Sequence, residues 1–119
     1  MECILLTARL PKDQQVTLGH MYRVLGPYDG PVPDAIPPAD RAAIRACFTS
    51  GTIGASASLI EALPNLGLIA CWGSGYEGVD LDAARTRGIK VTHSPGSNAA
   101  SVADMAMALM LASIRRLAE

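Results

Sequence analysis

The chain has 119 residues, which allows one domain with a buried core and excludes two full domains. Its formal net charge is -1 and no cluster of Lys or Arg precedes Arg115, so we expect neither a nucleic acid nor a membrane as partner. Hydrophobic residues make up 50% and aromatic residues 4%, a composition that favours a helix-covered sheet over an aromatic-rich β-sandwich.

Short apolar runs alternate with helical and turn patterns along the chain. The first run begins at once, without a basic leader, which predicts neither secretion nor a membrane span. A helix is predicted over Pro11–Gly19, an irregular proline-rich loop over Gly26–Pro38, and a short helix over Ala39–Ile44. A further helix, within Ser56–Pro64, has a capping serine at its start and a proline at its stop.

The apolar runs have the length of buried strands. We predict strands at Cys3–Leu6, Met21–Leu25, Ala46–Thr49, Leu66–Trp72 and Ile89–Thr92. Because strands alternate with helices, the pattern predicts an α/β fold: a doubly wound parallel sheet of about five strands. Ligands of such sheets bind beyond the carboxyl ends of the strands.

The cysteines Cys3, Cys47 and Cys71 are widely spaced, and each lies inside an apolar run. We therefore expect reduced thiols in the core and a cytoplasmic location. His20 and His93 stand apart, without the spacing of metal ligands, so no metal site is predicted.

A glycine-rich segment follows the fourth predicted strand. Gly73, Gly75 and Gly78 have the G-x-G-x-x-G spacing of a dinucleotide-binding loop, and a short helix is predicted after them over Asp80–Arg87. Dinucleotide sites also need an acidic residue about 20 positions further on, at the end of the next strand. His93 stands there instead. The loop therefore fails as a dinucleotide site, although its backbone N–H groups suit a carboxylate as well as a phosphate.

The last predicted helix, Ser101–Ala118, is apolar around its circumference. Ser101 and Asp104 resemble a capping box at its start, and no charged residue occurs from Met105 to Ile114. Such a helix needs cover on all sides but is too short to cross a bilayer. We expect its outer face to contact another subunit or a second domain.

Several motifs from Thr49 to Leu117 occur together in one known family. They are G-x-G-x-x-x-V-D, A-R-x-x-G-I-x-V-T, S-P-G and V-A-D, in that order. In these motifs the segment resembles the substrate (catalytic) domain of the D-isomer-specific 2-hydroxyacid dehydrogenases. It looks most similar to their hydroxypyruvate, glyoxylate and hydroxyphenylpyruvate reductases.

The resemblance implies a flavodoxin-like substrate-binding domain over residues 1–98. Residues 99–119 would form an interdomain and dimerisation helix that leads into an NAD(P)-binding domain. It further implies an oxidoreductase that uses NAD or NADP in the complete enzyme and forms a homodimer through the Ser101–Ala118 helix. The chain by itself, as a truncated part of that enzyme, is expected to bind no cofactor and to be inactive.

The resemblance also implies a binding site for the carboxylate of a 2-oxo or 2-hydroxy acid. The N–H groups of Ser74 and Gly75 would hold the carboxylate, and Gly73 would allow the tight turn. The pocket lining would come from Ser50, Gly51 and Thr52. The Ser50 and Thr52 hydroxyls have an alternative role, since serine and threonine often cap the turn that follows them.

The family's catalytic arginine, glutamate and histidine do not map onto this chain. We therefore assign no catalytic role to Arg9, Glu77 or His93, and His93 stands where asparagine is common in the family. Asn98 and Ala99 would lie near the nicotinamide end, although alanine replaces a common threonine there.

One alternative stays open: a stand-alone, non-enzymatic, flavodoxin-like binding or dimerisation module. It rests on the apolar last helix as an interaction surface.

Overall fold

The computed structural model describes residues 1–28 and 33–118. Its strands are β1 Cys3–Leu6, β2 Arg23–Leu25, β3 Ile44–Ser50, β4 Leu68–Trp72 and β5 Lys90–Thr92. All neighbouring strands are parallel, in the order β2-β1-β3-β4-β5, which is the flavodoxin-like order. The predicted doubly wound parallel sheet is confirmed.

Five helices connect or follow the strands in the described chain. They are α1 Lys12–Met21, α2 Pro38–Arg41, α3 Ala57–Ala62, α4 Leu81–Thr86 and α5 Ala99–Arg115. The helix predicted to stop at Gly19 instead continues to Met21, so that prediction is wrong. A glycine inside a helix costs only about 1 kcal/mol, and the N–H of Tyr22 closes the last turn on the carbonyl of Leu18.

Two further predictions in the first half of the chain need correction. The short helix predicted over Ala39–Ile44 ends at Arg41, because Ile44 begins β3 and is fully buried. The predicted loop Gly26–Pro38 contains a 3₁₀ turn at Pro33–Ala35, and its residues 29–32 lie outside the described residues.

The last helix begins two residues earlier than predicted. Asn98 precedes its first turn and its carbonyl accepts the N–H of Val102 at 3.0 Å, while no side chain caps the helix. Ser101 lies inside the helix, so the predicted capping box is wrong. The helix ends at Arg115, before the predicted Ala118, because the cap residue Arg116 is left-handed with a φ of 52°. Glu119 lies outside the described residues.

The core lies between one face of the sheet and helices α3 and α4. Strand β4 shows the alternation: Ile69 and Cys71 are buried, whereas Leu68 and Trp72 are partly exposed on the opposite face. The fully buried Ile60 of α3 belongs to the same hydrophobic core. Burial of a side chain of that size contributes about 1.5–3 kcal/mol to the free energy of unfolding. Pairing of Ser50 with Trp72 places the carboxyl ends of β3 and β4 next to each other.

Candidate functional site

The loops that follow β3 and β4 are joined by backbone hydrogen bonds. The N–H of Gly78 donates to the carbonyl of Gly51 at 2.7 Å, and the N–H of Ala55 donates to the carbonyl of Gly78 at 3.2 Å. The buried Thr49 hydroxyl donates to the carbonyl of Gly54 at 2.9 Å and closes the first loop from inside. Both loops are therefore held in place at the carboxyl edge of the sheet.

The loop after β4 turns sharply at its first residue. Gly73 has a φ of 104°, a conformation that residues with a side chain rarely adopt. The loop ends at Asp80, whose carboxylate accepts the N–H of Ala83 at 3.0 Å and caps α4. Between these two points the backbone runs across the edge of the sheet.

Two adjacent N–H groups in this loop have no acceptor among residues 1–28 and 33–118. Within the described chain, neither Ser74 nor Gly75 donates a backbone hydrogen bond. Ser74 is exposed and Gly75 is partly exposed, so both N–H groups are available to solvent or to a ligand. A pair of neighbouring N–H donors matches the two oxygens of a carboxylate.

The carbonyl groups of the same stretch are occupied by the loop that follows β5. The N–H of Ser94 donates to the carbonyl of Gly73 at 2.8 Å. The Nδ1 atom of His93 lies 2.9 Å from the carbonyl oxygen of Ser74. The ring of Tyr76 packs edge-on against the His93 ring, with centroids 4.8 Å apart.

The residues predicted to line the pocket lie beside this loop. Gly51 is buried against Gly75, and Thr52 is exposed. The Ser50 hydroxyl accepts the N–H of Ile53 at 3.1 Å, which is the turn-capping role left open as its alternative. The sheet therefore brings Ser50, Gly51 and Thr52 next to the Gly73–Gly75 turn.

Asn98 and Ala99 lie at the start of α5 and are exposed. The N–H of Ala99 donates to the carbonyl of Gly96 at 3.3 Å. No hydrogen bond in the described chain joins either residue to Ser74 or Gly75.

Sequence reasoning assigned no role to His93 and did not predict its contacts with Ser74 and Tyr76. The signal for these contacts is positional: β5 is parallel to β4 with Thr92 beside Ala70, so the chain after β5 runs alongside the end of β4. The sequence did not predict the place of the Glu77 carboxylate either. It lies so close to the α-carbon of Gly75 that a β-carbon at position 75 would collide with it.

The Cys71 thiol adds no charge to the site. Its pKa is raised above the usual value, first because the thiol is buried and second because the negative charge of Glu77 is near. The thiol is therefore protonated at neutral pH and packs as a small apolar group.

The glycine-rich loop after β4 does not fit the pyrophosphate and ribose of a nicotinamide dinucleotide. The N–H of Gly78, the third glycine of the motif, donates to Gly51 and is not available to a pyrophosphate. The residue after β5 is His93, where a dinucleotide fold places an acid for the ribose. A dinucleotide therefore needs a binding site elsewhere.

Residues 1–28 and 33–118 contain no group of three or more His, Cys, Asp or Glu side chains able to hold a metal ion. None of the helices in this described part is long and apolar enough to cross a membrane.

Comparison with known proteins identifies the family. Residues 25–117 match the D-isomer specific 2-hydroxyacid dehydrogenase, catalytic domain. The chain belongs to the D-isomer specific 2-hydroxyacid dehydrogenases. The resemblance found in the sequence motifs is confirmed.

One relative in this dehydrogenase family is the glyoxylate/hydroxypyruvate reductase A of Arabidopsis thaliana. It is 40% identical over 79 residues, which are 66% of this chain and 25% of the relative. The chain thus spans about a quarter of the length of the curated relatives it matches.

Solved structures of dehydrogenases share the fold. The 2-hydroxyacid dehydrogenase of Ketogulonicigenium vulgare Y25 superposes with a TM-score of 0.84 and 40% identity, over 93% of this chain and 35% of that one. An NADPH-dependent glyoxylate/hydroxypyruvate reductase of Sinorhizobium meliloti, in complex with NADP and malonate, gives a TM-score of 0.78 and 27% identity. That match covers 92% of this chain and 33% of the reductase.

Proposed function

We propose that this chain is the substrate-binding part of an NAD(P)-dependent D-2-hydroxyacid dehydrogenase. It holds the carboxylate of a 2-oxo or 2-hydroxy acid through the N–H groups of Ser74 and Gly75. The observation that carries the proposal is that these two adjacent N–H groups have no acceptor in the described chain, while the carbonyls beside them do.

The chemistry of the loop favours a small carboxylate. Each hydrogen bond from an N–H to a charged oxygen contributes about 1.5–3 kcal/mol, so two of them favour a carboxylate over an uncharged group of the same shape. The exposed position leaves room for the rest of the acid. The reductase from Sinorhizobium meliloti, which has malonate bound, supports a carboxylate as ligand.

The neighbouring strand end supplies the second wall of the proposed pocket. Thr52 is exposed there, Gly51 sets the distance between the two loops, and Ser50 holds the turn at the start of the loop after β3. Gly73 provides the sharp turn that presents the two N–H groups. Asn98 and Ala99 would face the nicotinamide end.

The hydride donor belongs to another part of the enzyme. NAD or NADP supplies the hydride when bound, and the glycine-rich loop after β4 does not fit its pyrophosphate. The family's catalytic arginine, glutamate and histidine have no counterparts at matching motifs of this chain. We therefore propose that this chain binds the acid but does not reduce it without a cofactor-binding domain.

A binding experiment tests the carboxylate site directly. Isotope-labelled chain is titrated with oxamate, a stable analogue of a 2-oxo acid, while amide resonances are recorded by NMR. We expect saturable shifts of the Ser74 and Gly75 amide protons. The methyl ester of oxamic acid, which lacks the charge, is the control. Equal shifts with the ester, or none with the acid, would exclude the proposed site.

We also propose that residues 1–98 form the substrate-binding domain and that α5 joins two subunits in a homodimer. Apolar side chains of α5 are exposed in the described chain, including Leu109 at 62% and Ile114 at 76%. The radius of gyration of 17.3 Å exceeds the value of about 13.5 Å for a compact chain of this length. The same helix also favours the alternative of a binding module without enzymatic activity.

A cytoplasmic location completes the proposal. It rests on the three buried cysteines Cys3, Cys47 and Cys71, which are free thiols. The cytoplasm keeps thiols reduced, and disulfides are rare there. Fractionation of cells that express the tagged protein would test it.

A further inference from the structure

Two consecutive peptide units of the β4–α4 loop are fixed from the same side. In a trans peptide, the carbonyl of one residue and the N–H of the next point in opposite directions. The Gly73 carbonyl is held by the N–H of Ser94, and the Ser74 carbonyl lies 2.9 Å from Nδ1 of His93. The N–H groups of Ser74 and Gly75 therefore point away from the β5–α5 loop.

The His93 ring acts as a hydrogen-bond donor in this arrangement. A carbonyl oxygen only accepts, so the proton of the imidazole must be on Nδ1. Edge-on packing of the Tyr76 ring, at 4.8 Å and an angle of 71°, limits rotation of the imidazole. Both side chains are exposed, so burial of the core does not explain the contact.

We propose that His93 is a positioning residue of the carboxylate site: its Nδ1–H holds the Ser74 carbonyl and thereby directs the Gly75 N–H at the ligand. This inference rests on the proposed carboxylate site. A hydrogen bond to the carbonyl end of a peptide also polarises its N–H end, which makes the Gly75 N–H a stronger donor. His93 itself does not touch the acid.

The proposal predicts that asparagine can replace the histidine at position 93. An asparagine side chain also carries an N–H donor close to its β-carbon, in the place of Nδ1. The backbone N–H of Ser94 holds the preceding peptide unit whatever its side chain. One side-chain donor is therefore enough to complete the arrangement.

The test compares three variants of the full chain in oxamate titrations. His93→Ala removes the donor, His93→Asn restores one, and His20→Ala removes the other histidine, which lies in α1. We expect His93→Ala to weaken oxamate binding about three- to tenfold, which corresponds to about 0.7–1.4 kcal/mol. His93→Asn should bind within about twofold of the wild type, and His20→Ala should bind as the wild type does.

A second measurement reports on the contact without ligand. In the wild type, nitrogen NMR of His93 should show the proton on Nδ1, and His93→Ala should shift the Gly75 amide resonance. The role is overturned if the neutral ring carries its proton on Nε2, or if His93→Ala binds oxamate like the wild type. It is also overturned if His93→Asn binds as weakly as His93→Ala. Failure of the wild type to bind oxamate would instead remove the carboxylate site, and the positioning role with it.

Discussion

The α-carbon of Gly51 lies directly against the carbonyl group of Gly75. A β-carbon added at Gly51 would come within 2.6 Å of the Gly75 carbonyl carbon and 2.7 Å of its oxygen, closer than real β-carbons approach. The carboxyl ends of β3 and β4 therefore meet backbone to backbone. Because Gly51 has no side chain, the Gly75 peptide can lie directly against its α-carbon.

Gly51→Ala should disturb both stability and binding. The added methyl group must push the two loops apart, which costs about 1–3 kcal/mol because both are held by hydrogen bonds. The shift moves the Gly75 N–H, so oxamate binding should weaken by about tenfold or more. Urea unfolding and NMR titration measure the two effects.

Gly67→Ala is the matched control for that change. A β-carbon at Gly67 would meet a single atom group within 4 Å, the Arg45 carbonyl oxygen at 3.9 Å, an ordinary contact. Its free energy of unfolding should stay within about 1 kcal/mol of the wild type. If Gly51→Ala proved as stable as Gly67→Ala and bound oxamate equally well, the close approach would have no functional meaning.

The sheet was predictable because its strands are short apolar runs between helical patterns. The rule that ligands bind at the carboxyl ends of parallel strands also selected the loops at Ser50 and Gly73. The direction of each peptide unit was not predictable. It depends on contacts between loops far apart in the chain, such as that of His93 with Ser74.

The errors lie at the ends of helices and strands, where tertiary contacts outweigh local signals. Met21 and Leu66, for example, lie outside the strands predicted to begin at them. Gly19 lies inside α1, since a single glycine is a weak stop signal. Asn98 starts α5 without a side-chain cap, so the Ser101 signal was misleading. Pairing of Ile44 with Cys3 of β1 ended the short helix before it.

Arg87 should stabilise the contact between α4 and α3. Its guanidinium donates to the carbonyls of Ile60, Leu63 and Pro64, in the last turn of α3 and just beyond it. Arg87→Ala should therefore lower the free energy of unfolding by about 1–2 kcal/mol. The control, Arg85→Ala, loses an exposed ion pair with Asp82 at 3.8 Å and should cost less than about 1 kcal/mol. Equal losses in urea unfolding would refute the special role of Arg87.

Cys47 should make stability fall at alkaline pH. Burial raises the pKa of its thiol from 9.0 to about 12, although a hydrogen bond with Thr7 opposes this. Between these values the unfolded chain binds fewer protons than the folded one, so the free energy of unfolding decreases as pH rises. The decrease reaches at most about 1.4 kcal/mol per pH unit for one group.

Cys47→Ala should flatten this pH dependence. Urea unfolding at several pH values gives the slope of the free energy of unfolding against pH for each protein. The slopes are compared because the smaller side chain also lowers stability by an amount that does not depend on pH. The thiols of Cys3 and Cys71 remain in both proteins, so their contribution cancels. Identical slopes would show that the Cys47 thiol is not protonated preferentially in the folded state.

The exposed face of α5 should drive self-association. Leu109 is 62% exposed and Met110 is 52% exposed, in a helix of which no residue is buried. Sedimentation equilibrium should detect a dimer of the wild-type chain, and Leu109→Lys should weaken association about tenfold or more because a charge would be buried without a partner. Val16→Lys, at an exposed apolar residue of α1, is the control and should leave association unchanged. A wild-type chain that stays monomeric at its highest soluble concentration, with α5 still protected from hydrogen exchange, would contradict the homodimer and leave the helix to another partner domain.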